Sequence, residues 1–308
     1  MKKISIVTPT FNEETNIEKL CEDIKLEFEK LNYDYEHIII DNSSTDNTIN
    51  KLREIAAKDK KVKVIINQKN YGHIRSPFHG VLQSESDACI LMVSDFQEPI
   101  NLIPQYLEKW EKGSKIVLGE KINSEENQTM FSLRKLFYNF LNKISETKLS
   151  INTTGTGLFD KDVMNKLKKI NDPYPYFRGL ISEIGFDIVT VKFKQPLRKF
   201  GKTKNNIFTL YDLAMLGVVK HSRMPLRFMT LLGITSSIGC LFVAIFYLIL
   251  KLIFWNSFTL GLAPVIIGIF AVSSIQIMLL GLLGEYIGII LLHQRNMPLV
   301  NERERINF

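Results

Sequence analysis

The sequence predicts an α/β protein with a mainly parallel sheet, followed by a two-helix transmembrane hairpin. Two observations favour this fold class. Short runs rich in β-branched residues alternate with helix-length segments in the first 120 residues, a pattern typical of parallel strands joined by crossover helices. Charged residues are dense up to Arg227 and almost absent from 228 to 284. The 308 residues therefore divide into a globular unit and a membrane unit.

The strands of the globular unit are predicted in chain order. They are the runs at 4–8, 37–40, 62–66, 89–93 and 116–118. Parallel sheets bind ligands beyond the carboxyl ends of their strands, so the segments that follow the strands are expected to carry the chemistry. These segments are PTFNEE from Pro9, DNSSTD from Asp41, NQKNYG from Asn67 and SDFQEP from Ser94. Each is rich in polar or acidic side chains.

Several function classes are excluded. No GxGxxG follows a strand and no GxxxxGK[ST] occurs, so dinucleotide oxidoreductases and P-loop nucleotidases lack their phosphate-binding turn. Three widely separated cysteines offer neither a CxxC metal site nor a disulfide framework. The apolar run after Lys2 and Lys3 is too short for a signal peptide. We therefore expect the globular unit to stay in the cytoplasm.

A nucleotide diphosphate bound without a glycine cradle needs another source of positive charge. A divalent metal held by a strand-end carboxylate supplies it, and Asp95 is the predicted ligand. The pair Ser94 and Asp95 would also suit the cap of a helix at 100–112. Both interpretations of Asp95 remain open from the residues alone.

The apolar region predicts two membrane spans. Uncharged stretches at 228–250 and 258–284 exceed the roughly 20 residues that span a bilayer; the alternative is a pair of buried helices in a soluble core. Basic residues flank the pair at its two ends: Lys220, Arg223 and Arg227 before it, and Arg295, Arg303 and Arg305 after it. The connecting turn offers only Lys251. The positive-inside rule then predicts that both termini of an integral inner-membrane protein face the cytoplasm.

These boundaries give four segments. They are a cytoplasmic catalytic domain at 1–205, an interfacial amphipathic segment at 206–225, two transmembrane helices within 226–294 (about 228–250 and 258–290), and a cytoplasmic tail at 295–308. The broad apolar face of the segment before the first span favours a helix in the membrane interface. Packing of the same face against the sheet is the alternative.

The motifs PTFNEE, DNSSTDNT and SDFQEP, in this order and spacing, resemble the family-2 inverting glycosyltransferases with the GT-A fold. FRGLISEIGF at 177–186, RKFGKTK at 198–204, HSRMPLRF and the closing GLLGEYIG are similar to the polyprenyl-phosphate branch. That branch includes dolichyl-phosphate mannose synthases and bacterial undecaprenyl-phosphate sugar transferases. The resemblance implies a GT-A domain that uses a nucleotide-diphosphate sugar (UDP-sugar favoured over GDP-sugar), Mg²⁺ or Mn²⁺ and a polyprenyl phosphate at a lipid bilayer.

The resemblance also implies roles for individual residues. The donor is expected to contact Pro9, Phe11, Glu13, Asp41, Ser94, Asp95 and Gln97, with Asp95 as the metal ligand. The catalytic residues are expected to be Asp95, Gln97, Lys121, Arg134 and Arg198. The acceptor phosphate is expected to bind Lys121, Arg134, Arg198 and Lys204. Alternatively, the basic residues near the membrane bind anionic lipid headgroups.

Three positions depart from the family pattern. Val93 occupies the first position of the DxD metal motif, which leaves one carboxylate instead of two. Lys121 stands where relatives carry arginine, so it offers a point charge instead of a bidentate fork. The segment TTGTG at 153–157 replaces a GDFR-like segment.

The expected reaction needs no general base, because a phosphate monoester is already anionic near neutral pH. Its oxygen would displace the nucleotide diphosphate and invert the anomeric centre, making a lipid-linked monosaccharide. Two alternatives remain: a transferase that extends a lipid-linked oligosaccharide, and a catalytically dead membrane scaffold that binds nucleotide sugar. The first would need a carboxylate base, and no ED-type pair occurs at 158–186. No nucleic-acid partner is expected, and the sequence is compatible with a homo-oligomer.

Overall fold

The computed structural model describes residues 1–122, 153–196, 215–220, 222–254 and 262–308. The strands are β1 (Lys3–Thr10), β2 (Asp34–Asp41), β3 (Val62–Asn67), β4 (Ala88–Leu91), β5 (Ile116–Lys121), β6 (Thr153–Asp160), β7 (Ile188–Phe193) and β8 (Glu302–Ile306). The helices are α1 (Ile17–Glu29), α2 (Thr48–Lys58), α3 (Gly72–Leu82), α4 (Leu102–Glu111), α5 (Lys161–Leu167), α6 (Phe177–Glu183), α7 (Met224–Ile253) and α8 (Leu262–Gln294).

The strands form one sheet in the order β7-β5-β6-β4-β1-β2-β3-β8. β1 runs parallel to β2 and β4, β2 runs parallel to β3, and β5 runs parallel to β7. β6 is antiparallel to β4 and β5, and β8 is antiparallel to β3. The predicted α/β fold with a mainly parallel sheet is confirmed.

Helices cover both faces of the sheet, which explains why its central strands are apolar on both sides. Alternate residues of a strand point to opposite faces, so Ile4 and Ile6 join one core with α1, α2 and α4. Val7 joins the other core, with α3, α5 and α6. In this second core Phe177 packs against Phe78 and Phe159, with ring centroids 5.7 and 5.2 Å apart.

The C-terminal segment adds a strand that the sequence analysis did not predict. Within the expected tail at 295–308, β8 pairs with β3 at the edge of the sheet, with Ile306 opposite Val64. Asn307 donates to the carbonyl oxygens of Ala56 (2.7 Å) and Val62 (2.8 Å). Charged residues dominate the sequence ERERI of β8, so this strand lacks the alternation of apolar residues that predicts a strand.

The apolar end of the chain forms two long helices, α7 of 30 residues and α8 of 33 residues. Among the described residues, one segment, Ile275–Gln294, is long and apolar enough to cross a membrane. Large apolar side chains on both helices are exposed, among them Phe228, Phe242 and Ile277. Of the predicted interfacial segment, 206–214 lies outside the described residues and 215–220 is helical.

Candidate active site

The sheet brings three of the predicted donor residues to neighbouring strand ends. Pro9 pairs with Ile40 and Thr10 pairs with Asp41, at the carboxyl ends of β1 and β2. Ser94, which follows β4 on the other side of β1, donates its hydroxyl to the carbonyl oxygen of Pro9 (3.3 Å). Pro9, Asp41 and Ser94 therefore line one edge of the sheet, as parallel topology requires.

Asp41 is fully buried, and Ser44 makes two hydrogen bonds to its carboxylate. Its two carboxylate oxygens accept the backbone N–H (2.9 Å) and the hydroxyl (2.5 Å) of Ser44. Burial raises the pKa of Asp41 above its ordinary value, and the two hydrogen bonds from Ser44 oppose that rise. The carboxylate is thus fixed in direction beneath the edge, with lone pairs left for a further donor.

The loops after β1 and β2 are bonded to each other. Ser44 Oγ accepts the backbone N–H of Asn12 (2.9 Å), and Asn12 Oδ1 accepts the backbone N–H of Thr45 (2.8 Å). The backbone N–H of Glu13 donates to Thr48 Oγ1 (3.0 Å). Phe11 and Glu13, both predicted donor contacts, are half-buried in this paired loop.

Strained backbone marks the same edge. Asn12, Ser43 and Phe96 have φ of 56°, 64° and 56°, although none is glycine and Phe96 is bulky. Each lies in a loop directly after β1, β2 or β4. Side chains in this left-handed region cost about 1 to 3 kcal/mol, and such positions cluster at functional sites. The strain independently indicates the edge that carries Asp41 and Asp95.

An asparagine cluster links the third strand-end loop to the second. Asn42 Oδ1 accepts the backbone N–H of Tyr71 (2.8 Å), and Asn42 Nδ2 donates to Asn70 Oδ1 (2.9 Å). Asn67 Nδ2 donates to Ser76 Oγ (3.0 Å) at the start of α3. Sequence reasoning gave these residues no role. Asparagine at the end of two adjacent strands was the available signal, because Asn readily bonds loop backbone.

Asp95 lies half-buried in the loop after β4, and its Oδ1 accepts the backbone N–H of Gln97 (3.1 Å). Among the residues that the structure describes, no group of three His, Cys, Asp or Glu side chains could hold a metal. Mg²⁺ in phosphate sites usually takes one or two carboxylates together with substrate oxygens and water. Asp95 therefore fits a cation shared with a bound diphosphate, and does not form a protein-only cage.

The predicted basic residues are only partly described. Lys121 ends β5, which is separated from β4 by β6, or about 10 Å across the sheet. Arg134, Arg198 and Lys204 lie outside the described residues. One basic side chain that sequence reasoning passed over, Arg178, contacts Gly155 of β6 near the end of β4. Its signal was the FRG of the motif at 177–186.

Comparison with known proteins identifies the family. The description "Glycosyl transferase family 2" matches residues 5–168. The prophage bactoprenol glucosyl transferase homolog of Escherichia coli K12 is 30% identical over 299 residues, which cover 96% of this chain and 97% of that protein. The uncharacterized glycosyltransferase YkcC of Bacillus subtilis 168 is 29% identical over 297 residues, covering 96% and 91%.

A solved structure is similar in fold. Glucosyl-3-phosphoglycerate synthase from Mycobacterium tuberculosis, crystallised with Mn²⁺, UDP and phosphoglyceric acid, gives a TM-score of 0.50 at 18% identity. The match covers 71% of this chain and 76% of that one. The predicted GT-A-like fold and the resemblance to family-2 enzymes are thereby confirmed. The chain belongs to glycosyl transferase family 2.

Proposed function

We propose that the protein transfers a sugar from a nucleotide-diphosphate sugar to a polyprenyl phosphate, making a lipid-linked monosaccharide. One observation carries the proposal: a strand-end site of this family shares a chain with long, exposed apolar helices. The relatives named bactoprenol glucosyl transferase match the chain through both parts, over 96% of its length.

The apolar helices α7 and α8 are proposed to form a transmembrane hairpin. Each is longer than the roughly 20 residues that cross a bilayer. The basic residues that flank the pair, and the single Lys251 in the last turn of α7, favour a cytoplasmic catalytic domain with both termini on that side. The enzyme would then meet its lipid acceptor at the inner face of the cytoplasmic membrane.

The donor is proposed to lie along the edge formed by β2, β1 and β4. Asp41, with its direction fixed by Ser44, would accept a hydrogen bond from the nucleoside, while the loop of Phe11 and Glu13 encloses it. The diphosphate would then reach the loop of Asp95 and Gln97, two strands away. A divalent cation at Asp95, Mg²⁺ or Mn²⁺, would supply positive charge beside the leaving diphosphate. A UDP-sugar is favoured over a GDP-sugar.

The reaction is proposed to be a single displacement. The acceptor phosphate is already an anion near pH 7, so its oxygen forms the new bond to the anomeric carbon without a protein base. The bond from that carbon to the nucleotide diphosphate breaks, and both of its electrons leave with the diphosphate. Attack from the opposite side inverts the anomeric centre. The protein's contribution is to position both phosphates and to stabilise the leaving one.

The proposal is tested by transfer itself. Purified protein in detergent is incubated with undecaprenyl phosphate, Mn²⁺ and a panel of radiolabelled UDP- and GDP-sugars, and lipid-extractable label is counted. We expect label from at least one UDP-sugar. Label that appears only when a lipid-linked oligosaccharide replaces undecaprenyl phosphate would contradict the proposed acceptor. Binding of UDP without transfer to either lipid would favour a scaffold.

The role of Asp95 is tested in the same assay. Asp95→Asn should abolish measurable transfer and remove the Mn²⁺-dependent part of UDP affinity in calorimetry, because Val93 provides no second carboxylate. Asp162→Asn is the matched control: Asp162 makes an exposed ion pair with Lys115 at the other end of the sheet (2.8 Å), and such pairs contribute about 0 to 1 kcal/mol. A mutant Asp95→Asn that keeps the Mn²⁺ effect would refute the ligand assignment.

A further inference from the structure

The side chain of Arg178 packs against Gly155 at the edge of the sheet that carries Asp41 and Asp95, which we call the catalytic edge. A Cβ atom added at Gly155 would lie 3.0 Å from both Cγ and Nε of Arg178, so the arginine stem rests directly on the glycine. Gly155 also has φ of +78°, a conformation that other residues rarely adopt. The TTGTG segment that departs from the family pattern therefore provides the surface on which this side chain packs.

The segment that carries Gly155 is connected to the loop of Asp95. β6 is antiparallel to β4, with Gly157 opposite Leu91, so Gly155 lies beyond the last residue of β4, on the side of Asp95. Thr156 donates its hydroxyl to the buried carboxylate of Glu98, three residues after Asp95. Arg178 is therefore positioned at the same edge as the proposed diphosphate site, on the opposite side of β4 from Asp41.

Arg178 is also close to α3, the helix that contacts the chain just after α8. Its neighbour Phe177 packs on Phe78 of α3, and Arg75 of α3 donates to the carbonyl oxygens of Pro298 and Leu299 (2.7 Å each), just after α8. His73, at the start of α3, has a pKa below its ordinary value because of desolvation and then because of the positive charge of Arg178. Arg178 thus lies close both to the start of α3 and to Gly155 at the catalytic edge.

We propose that Arg178 binds the phosphate of the polyprenyl acceptor and positions it for attack. This inference rests on the proposed function. The phosphate of a membrane lipid must enter from the side of the membrane helices, whereas the nucleoside lies across β4 at Asp41. A guanidinium offers a planar fork that matches two phosphate oxygens. Arg178 is half-buried, so the contact would be partly desolvated and stronger than a surface charge.

The test separates the acceptor from the donor. Arg178→Ala should lower kcat/KM for undecaprenyl phosphate by about 10- to 150-fold, the loss expected for a charge-assisted hydrogen bond to phosphate. The affinity for UDP with Mn²⁺, measured by calorimetry, should stay within about twofold of wild type, since the nucleotide site is left intact. Arg303→Ala removes an exposed arginine from β8 and should change neither quantity.

Two further variants guard against misfolding. Arg178→Lys keeps an apolar stem over Gly155 and a positive charge but loses the fork, so it should recover part of the acceptor kcat/KM. Gly155→Ala keeps the arginine and displaces it, and should reproduce the acceptor-specific loss. Each variant is compared with wild type by thermal unfolding in the same detergent.

Three outcomes with the variants would overturn the inference while leaving the proposed function intact. A fall in UDP affinity as large as the fall in acceptor kcat/KM would assign Arg178 to the donor diphosphate. Acceptor kcat/KM within twofold of wild type for Arg178→Ala would leave it no role in binding. Equal losses in Arg178→Ala and Arg303→Ala that vanish at high salt would indicate nonspecific charge. If wild type itself transfers nothing to undecaprenyl phosphate, the proposed function fails and the inference fails with it.

Discussion

Asp41 and His37 of β2 are both buried in the sheet, and burial disfavours the charged form of each. Asp41 is held at the catalytic edge, where hydrogen bonds from Ser44 limit the rise of its pKa. His37 sits in the strand interior with Thr8 Oγ1 2.9 Å from its Nε2. There burial lowers the pKa of His37 to about 3. One strand thus carries the proposed donor-binding carboxylate at its end and a neutral structural imidazole inside.

His37 makes stability depend on pH. Between its native pKa of about 3 and the unfolded value near 6.5, the unfolded chain binds a proton that the native chain does not. Stability therefore falls as pH falls through this window, by about 2 kcal/mol at pH 5, and is constant above pH 7 with respect to this group. His37→Gln should show a smaller loss of melting temperature between pH 7.5 and pH 5. Parallel losses in both proteins would contradict the buried neutral imidazole.

The residues of the site differ in whether the neighbouring sequence alone could predict their position. Asp41 and Asp95 could be predicted because a polar residue directly after an apolar strand must lie at the sheet edge. Ser44 and Asn12 could not, because their bond joins loops 32 residues apart and depends on backbone with positive φ. Arg178 could not be assigned a partner for the same reason, because Gly155 lies on a different element and contacts Arg178 only in the folded chain.

At the scale of elements, β8 pairs with a strand that would otherwise be an open edge of the sheet. It covers β3, a strand that would otherwise present unpaired backbone groups. Arg53 of α2 pairs with Glu304 (2.6 Å), and His79 of α3 contacts Glu302 (2.6 Å), so both layers of helices bind the added strand. The central strands were predictable from apolar runs. β8 was not, because an edge strand needs few apolar residues and its pairing partner lies more than 230 residues away.

Removing β8 should destabilise the catalytic domain. Deletion of residues 301–308 removes the β3 pairing, the Arg53–Glu304 ion pair and both hydrogen bonds of Asn307. We expect a lower melting temperature and concentration-dependent aggregation, since the edge of β3 becomes available to other chains. Arg303→Ala, an exposed change within the same strand, is the control. A deletion variant that melts with wild type and stays monodisperse would show that β8 is dispensable.

At the scale of the whole molecule, three parts of the chain meet at one buried carboxylate. Asp172 lies in the loop before α6, and its oxygens accept from Lys220 Nζ at 2.7 and 2.6 Å. His293 Nε2, at the end of α8, is 3.4 Å from Asp172 Oδ1. Tyr286 of α8 donates to the carbonyl oxygen of Ser222 (2.9 Å). The catalytic domain, the helix at 215–220 and α8 are thereby joined within a few residues of Arg178.

We call the ion pair between Asp172 and Lys220 the joint. Both side chains are only 9% exposed, and this burial determines how much stability is lost when one partner is removed. Burial lowers the pKa of Lys220, and Asp172 opposes that shift. Lys220→Ala would leave Asp172 buried without its main counter-charge, which typically costs about 3 to 5 kcal/mol. The double variant Asp172→Asn with Lys220→Ala removes both charges and should regain part of that loss. Thermal unfolding in detergent measures both.

The same variants separate structural coupling from local stability. Lys192→Ala, an exposed lysine on β7, is the matched control and should melt with wild type. If the joint positions the catalytic edge relative to the membrane, Lys220→Ala should lower kcat/KM for undecaprenyl phosphate more than it lowers UDP affinity, because the donor edge at Asp41 and Asp95 does not include the joint. Lys220→Ala that melts with wild type would contradict a buried pair. Equal losses for donor and acceptor would mean that the joint supports the whole domain without orienting it toward the lipid.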